Sequence, residues 1–260
     1  MWSKRVIEAY YNQLAPFYRY LFPDWERSVL WHAEVMDEVI QEYFGSRVRR
    51  VLDAACGIGT QSVGLAQLGY EITASDISEA ELSLAQEEAA RRSLSLKFEV
   101  GDMRELNQVH EDKFDLVIAC DNAIPHLLTE EDIILAFEQF YAITADNGGC
   151  IISVRDYANM DLEGRKIYPR ITHSVPGGRL ILFDIWEYDD PYYDFTTYIV
   201  EDQGETVAKT HIIRGGRYYC VTIPTLKRLL MKAGFRKVAV VREKYHQPIL
   251  VGIKRDIKRV

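Results

Sequence analysis

The sequence predicts a doubly wound α/β fold around a mostly parallel sheet, and three observations carry that expectation. Short apolar runs alternate with helical stretches from Val48 to Val154. The turn after the first run carries two glycines, Gly57 and Gly59, that open a helix. The alternation stops after Asp156 and resumes near residue 221, ending in a hairpin of two strands.

Segments 3–20 and 25–44 read as helices, the second with Val29, Val35, Met36, Val39 and Ile40 in helical phase. Neither sits inside a strand–helix–strand unit, so residues 1–45 are expected to form an N-terminal helical cap. Strand 49–54, helix 60–68, strand 70–75, helix 79–92 and strand 96–100 follow, then strand 114–120, helix 130–143 and strand 148–155. Helix 79–92 starts at Ser78 with Glu81 three residues on, the pattern of a capping box. Within 157–220, the β-prone runs Arg179–Tyr188, Phe195–Glu201 and Val207–Arg214 are parted by Pro176-Gly177-Gly178 and Asp202-Gln203-Gly204. This stretch is expected to be an antiparallel lid over the pocket mouth. Helix 223–233, stopped by Gly234, and strands 236–242 and 248–254 return to a core made of 46–156 and 221–260.

Composition narrows the function. With 260 residues, 48% of them hydrophobic, the chain can bury a full core. A net charge of −8 argues against nucleic acid and against an anionic membrane face. Four scattered cysteines without a C-x-x-C pattern indicate neither a zinc site nor a disulfide framework, and nothing implies a metal. No apolar leader segment and no bilayer-length run is present, so the expectation is a soluble cytoplasmic protein.

The segment Val51–Thr60, VLDAACGIGT, with Asp76 nineteen residues beyond Gly57, carries the chemistry. Glycines after a strand let backbone press against a bulky ligand, and Asp76 is placed to accept the ribose hydroxyls of an adenosyl group. Asp53 lies four residues before Gly57. A carboxylate there opposes a pyrophosphate but suits a cationic adenosyl ligand, and S-adenosylmethionine carries positive charge on its sulfonium and its amine.

Three stretches resemble one family. VLDAACGIGTQSVGLAQLG (51–69), FDLVIACDNAIPHL (114–127) and Val154-Arg155-Asp156-Tyr157 are similar to segments of class I S-adenosylmethionine-dependent methyltransferases, and most to glycine N-methyltransferase and related small-amine enzymes. Lys166-Ile167-Tyr168 and Tyr218-Tyr219 resemble two tyrosine segments of that family's lid. Ala123, Pro125 and Asp156 depart from its pattern. The resemblance implies a Rossmann-like, seven-stranded sheet whose last strand runs antiparallel, and methyl transfer to a small amine, with glycine or sarcosine leading and another small N- or O-acceptor as the alternative.

Roles are then expected as follows. Asp53 and Gly57 would hold the methionine end of the cofactor, Asp76 the ribose, and Asp102 with Met103 the adenine. Ala55, Gly59, Ile77 and Cys120 flank them, and Arg27 would meet the methionine carboxylate from the cap. Arg155 would clamp an acceptor carboxylate bidentately, as the resemblance implies, or else pair with Asp156 or Asp121. Asn122, Tyr168 and Tyr219 would surround the reacting methyl, with Tyr218 and Tyr18 beside the acceptor. His126 reads as a general base or as a locally hydrogen-bonded helix starter, the second being the simpler since sulfonium displacement needs little acid–base help. A nicotinamide-dependent dehydrogenase is the enzymatic rival, opposed by Ser62 at the third-glycine position and by Asp53. A cofactor-binding module without turnover is the other alternative.

Overall fold

A computed structural model describes residues 4–254 apart from Glu111 and Glu205, and the backbone only of Val109. The start expected at residue 3 and the tail 255–260 lie outside the described residues. Helices α1 (Lys4–Tyr18) and α2 (Trp25–Phe44) precede β1 (Arg50–Asp53), α3 (Thr60–Gln67), β2 (Glu71–Asp76), α4 (Glu79–Arg91) and β3 (Lys97–Val100). A single-turn α5 (Leu106–Val109), which the sequence pattern does not announce, leads to β4 (Phe114–Ala119), α6 (Glu130–Ile143) and β5 (Thr144–Ser153). Four long strands follow: β6 (Arg165–Val175), β7 (Gly178–Asp189), β8 (Tyr192–Asp202) and β9 (Lys209–Tyr219). Helix α7 (Ile223–Lys232), β10 (Lys237–Val241) and β11 (Ile249–Ile253) complete the chain.

The main sheet has seven strands in the order β10-β11-β5-β4-β1-β2-β3. β11 pairs antiparallel with both β10 and β5, and the remaining pairs are parallel. Alternation along the central strands explains why both faces are dry. Leu52, Val117 and Ile152 face α6 and α7, packing with Phe137, Phe140, Leu226 and Leu230. Their neighbours Val51, Ile118 and Ile151 face the other way, onto Met36, Val39, Ile40 and Leu65. Full burial of each such side chain is worth about 1.5–3 kcal/mol.

This changes the expected place of α2. It lies on a face of the sheet, with Val29, Met36, Val39 and Ile40 buried, and is a layer of the core. Gly64 of α3 allows it: a Cβ there would stand 2.6 Å from the Val29 carbonyl oxygen and 2.7 Å from the Ala33 Cβ. Only α1 caps the strand ends, packing against β9 and α4.

β6 to β9 form a separate antiparallel sheet in chain order. Only three β-prone runs are readable in this region, and the missed strand is the edge strand β6. Pro169 and the charged Arg165, Lys166 and Arg170 hide it, and its ladder shifts register between Pro169 and Ile171.

Candidate active site

The parallel strands deliver polar groups at their carboxyl ends: Asp53 as the last residue of β1, Asp76 as the last of β2, Asp102 beyond β3, Asp121 and Asn122 beyond β4, and Arg155 beyond β5. In an open parallel sheet this edge is where ligands bind. Two cavities lie there. One is lined by the 54–58 loop, Asp76, Ile77, Glu81, Asp102, Met103 and Cys120. The other is lined by Arg155, Arg170, Tyr218, Phe195, His246 and Gln247, among others. Tyr11, Tyr18 and Asp121 belong to both walls, so the two chambers meet at these residues.

The first cavity is built by the glycine loop. Gly57 has φ +52° and Gly59 φ +85°, a left-handed backbone that favours glycine. The Gly57 N–H donates to Asp76 Oδ2 at 2.8 Å, and Asp76 Oδ1 accepts the Ser78 N–H at 2.9 Å. Asp76 therefore locks loop and helix start together while still lining the cavity. Its pKa is raised by burial. Asp53 lies beneath the loop and is not part of the cavity wall. Its Oδ2 accepts the Ser62 hydroxyl at 2.7 Å, and burial raises its pKa to about 7. Gly59 also stands behind the wall, as the residue before α3. Ala55, Gly57, Asp76, Ile77, Asp102, Met103 and Cys120 line the cavity. Asp102 is gripped by Arg104 through Nε at 3.0 Å and Nη2 at 2.7 Å. Burial opposes ionisation there, but these bonds hold its pKa below the usual carboxylate value.

Four further expected positions are corrected. Arg27 is exposed on the first turn of α2 and lines neither cavity. Tyr168 stacks on Trp186 with ring centroids 3.7 Å apart, and Tyr219 lies beside Tyr192 at 5.6 Å; neither lines either of the two chambers. Both sit on sheet positions taken up by lid packing. Asn122 is fully buried behind the wall, with its amide engaged by the Tyr157 hydroxyl and the Arg155 backbone. The tyrosines that do line the chambers are Tyr10, Tyr11, Tyr18 and Tyr218.

In the second chamber Arg155 lies 5.2 Å from the ring centroids of both Trp186 and Tyr218 and donates to the Tyr193 hydroxyl. Asp156 pairs with Arg242 at 2.6 Å, and Asp121 with His246 at 3.3 Å, so neither takes Arg155. Among the described residues no carboxylate lies within ion-pair distance of it. Arg170, by contrast, is paired with the buried Asp184 at 2.5 Å. Asp121 also accepts from Tyr245 and Gln61, each at 2.7 Å, and lies 3.7 Å from His32; burial opposes its charge, but His246, His32 and the Tyr245 bond hold its pKa down to about 2. His126 bonds to the Tyr11 hydroxyl at 2.7 Å through Nε2 and to the Arg217 carbonyl at 3.0 Å through Nδ1. Burial lowers its pKa to about 3, which makes it a neutral imidazole at pH 7.

Sequence reasoning missed Glu81, Asp121, Gln247 and Arg170 as cavity residues. The sequence pattern marks Glu81 for a capping box, Asp121 is passed over beside Asn122 in the 114–127 stretch, Arg170 lies within the unread strand β6, and Gln247 lies between β10 and β11 with no motif to mark it.

The donor set fits a cationic adenosyl ligand. The loop has glycine where a side chain would enter the cavity, and the Glu81 Oε1 is buried there with no hydrogen-bond partner. Residues 51–148 match the family model described as a methyltransferase domain. Over those residues the chain is similar to methyltransferase domains. Over 145 residues it is 32% identical to the glycine/sarcosine N-methyltransferase of Aphanothece halophytica, covering 55% of each chain. The chain spans about half the length of the curated relatives it matches. Among solved structures, the CcbJ methyltransferase from Streptomyces caelestis superposes with a TM-score of 0.76 at 16% identity, over 95% of this chain and 97% of that one. CalS10 from Micromonospora echinaspora, an amino pentose methyltransferase with S-adenosylmethionine bound, gives 0.72 at 18% identity, over 86% and 92%. These two establish the fold. Among the described residues no helix is long and apolar enough to cross a membrane.

Proposed function

We propose that this chain methylates the amine of a small amino-acid acceptor, with glycine or sarcosine first, using S-adenosylmethionine as donor. Arg155 is the observation that carries the acceptor class. It is a cation in the wall of the second chamber with no protein carboxylate of its own, and a guanidinium matches a carboxylate in two parallel hydrogen bonds. The similarity to glycine/sarcosine N-methyltransferases supports the same reading.

The cofactor, when bound, supplies an electrophilic methyl group on its sulfonium. What the chain contributes is position. Asp76 and the Gly57 loop would hold the donor, with Asp102 and Met103 at its adenine end. Arg155 would hold the acid end of the acceptor in the adjoining chamber. Tyr11, Tyr18 and Tyr218 would enclose the amine and exclude water. His126, neutral and bonded through both nitrogens, would orient Tyr11. Four free cysteines, three of them buried, suit a reducing compartment, and we assign this chemistry to the cytoplasm.

The test is release of the demethylated cofactor with glycine, sarcosine, and amines or alcohols lacking a carboxylate. Turnover with glycine or sarcosine, and a KM for that acceptor raised by roughly 100-fold in R155A with donor affinity kept, is the expected result. Turnover confined to acceptors without a carboxylate would overturn the amino-acid assignment.

A further inference from the structure

Glu81 carries, in its Oε1, one of the buried side-chain oxygens without a hydrogen-bond partner among the described residues. Its position three residues after Ser78 marks it for a capping box, in which its carboxylate would return to the Ser78 N–H. Only half of that box forms. Ser78 Oγ accepts the Glu81 N–H at 3.2 Å, but the Ser78 N–H is taken by Asp76 Oδ1 at 2.9 Å. The carboxylate of Glu81 is instead turned into the first cavity, where it is 2% exposed and its Oε1 has no hydrogen-bond partner. A Cβ built on Gly57 would stand 3.2 Å from its Oε2, so the group lies directly against the glycine loop.

A buried carboxylate without partners is costly, by several-fold more than a lost neutral hydrogen bond, unless a ligand compensates it. The rest of the wall shows what kind of ligand that is. Lys4 and Arg104 are drawn to Asp102, at 3.7 and 2.7 Å, and Arg104 also to Asp132 at 3.1 Å. Arg217 is held by Asp194 at 2.6 Å. Among the described residues, Asp76 and Glu81 have no basic side chain within ion-pair distance. Two adjacent acids beside a glycine loop, unmatched by any cation of the protein, form a seat for positive charge.

We propose that Glu81 is a charge-selective ligand of the cofactor site, one that favours the cationic sulfonium donor over its neutral thioether product. The proposal rests on the assignment of the first cavity to S-adenosylmethionine. The donor and S-adenosylhomocysteine share every hydroxyl, the adenine, the carboxylate and the amine. They differ by one methyl group and one positive charge. A residue that only hydrogen-bonds to the shared parts therefore affects both alike, whereas a residue that acts through charge separates them. The groups facing Glu81 are Asp76 from β2, Cys56 from the loop and Tyr18 from α1, none of which is cationic. Burial first, and Asp76 second, raise its pKa well above the usual carboxylate value, so both disfavour its ionised form when no cation faces it. A cationic donor shifts that balance toward the ionised form, with the proton passing to solvent, and the neutral product does so less.

Calorimetric titration of wild type and E81Q with S-adenosylmethionine and with S-adenosylhomocysteine tests this directly. The expected result is a donor affinity at least tenfold weaker in E81Q, with product affinity kept within twofold. Equal losses for the two ligands, or no loss for either, would overturn it and leave Glu81 as an ordinary hydrogen-bonding or packing group. A second measurement needs no variant: the wild-type titrations repeated in phosphate and in Tris, whose ionisation heats differ. More proton release with the donor than with the product is expected, and equal release would sink the proposal. If the wild-type protein binds neither ligand, the cofactor assignment itself falls and this inference falls with it.

Discussion

Asn122 and Arg155 are tied together across the ends of β4 and β5: the Asn122 Oδ1 accepts the Arg155 backbone N–H at 3.0 Å, while its Nδ2 donates to the Tyr157 hydroxyl at 2.7 Å. Asn122 adopts φ +70° and its own N–H donates to the Ser153 carbonyl at 3.1 Å. A left-handed, fully buried asparagine thus fixes where the arginine leaves the sheet, although it touches neither chamber. The resemblance of 114–127 to a known segment draws attention to Asn122 and assigns it to the reacting groups. The structure gives it a positioning place instead.

N122A should therefore act through Arg155. It removes the acceptor of a backbone N–H and leaves an alanine in a left-handed conformation, and each defect costs about 1–2 kcal/mol of stability. The acceptor KM should rise about tenfold while donor affinity stays within twofold, read by steady-state kinetics and calorimetry. A matching loss of donor affinity would place Asn122 at the cofactor and contradict the strut.

R155K separates charge from geometry. Lysine keeps one positive charge but has neither the planar fork nor the face that lies over Trp186 and Tyr218. The acceptor KM should rise at least tenfold in R155K and further in R155A. A lysine variant indistinguishable from wild type would mean that no bidentate contact is made there.

His126 and Asp53 give opposite pH dependences of stability. His126 is held neutral, its pKa lowered to about 3 by burial from an ordinary 6.5. Between those values the unfolded chain binds the proton and the folded one does not, so this part of stability is present above about pH 6.5 and is lost as pH falls toward 3. Asp53 is raised from 3.8 to about 7, so its part is present below about pH 4 and is lost as pH rises through 7. In H126Q the melting temperature should fall as pH rises from 4 to 7, and in D53N it should fall as pH drops below 6.5. A wild-type-like pH profile in both variants would show that neither group is held as described. H126Q should also lose less than about tenfold in kcat, because the imidazole orients Tyr11 and transfers no proton.

Periodicity located the strands and helices of the core to within a residue or two at most ends, because both sheet faces are buried and the alternation is unbroken. The same pattern says nothing of β6, whose alternate residues are exposed or half-buried and whose Pro169 reads as a breaker. It also cannot tell a capping helix from a layer helix, and α2 turned out to be the latter because Gly64 admits it to the sheet face. At the site, the glycine loop, Asp76, Asp102 and Arg155 are legible from spacing and resemblance. Glu81 and Asp121 are not. Their places depend on hydrogen-bond competition, for the Ser78 N–H in one case and among Gln61, Tyr245 and His246 in the other, which no local pattern records. Tyr218 and Tyr219 are read together in the sequence, but a strand sends neighbours to opposite faces. Tyr218 consequently reaches the chamber and Tyr219 does not.

The two glycines of the loop should fail in different ways when a methyl group is added. At Gly59, with φ +85°, the new Cβ would stand 3.1 Å from the Ala85 Cβ and 3.2 Å from Val63 Cγ2, both packed and unable to yield. At Gly57, with φ +52°, the nearest atom is the Glu81 Oε2 at 3.2 Å, the far end of a side chain that can turn aside. G59A should therefore lower stability by about 2 kcal/mol or more through strain and crowding, while the protein that remains folded binds donor within a fewfold of wild type. G57A should be milder in stability, about 1 kcal/mol, but its Cβ enters the wall of the first cavity and displaces Glu81. Donor affinity should drop about tenfold or more. Denaturant unfolding and calorimetry on the two variants measure both quantities, and the contrast depends on Gly57 facing the ligand and Gly59 facing α4. Equal affinity losses in the two variants would show that the loop binds as a single unit, with no division of labour between its glycines.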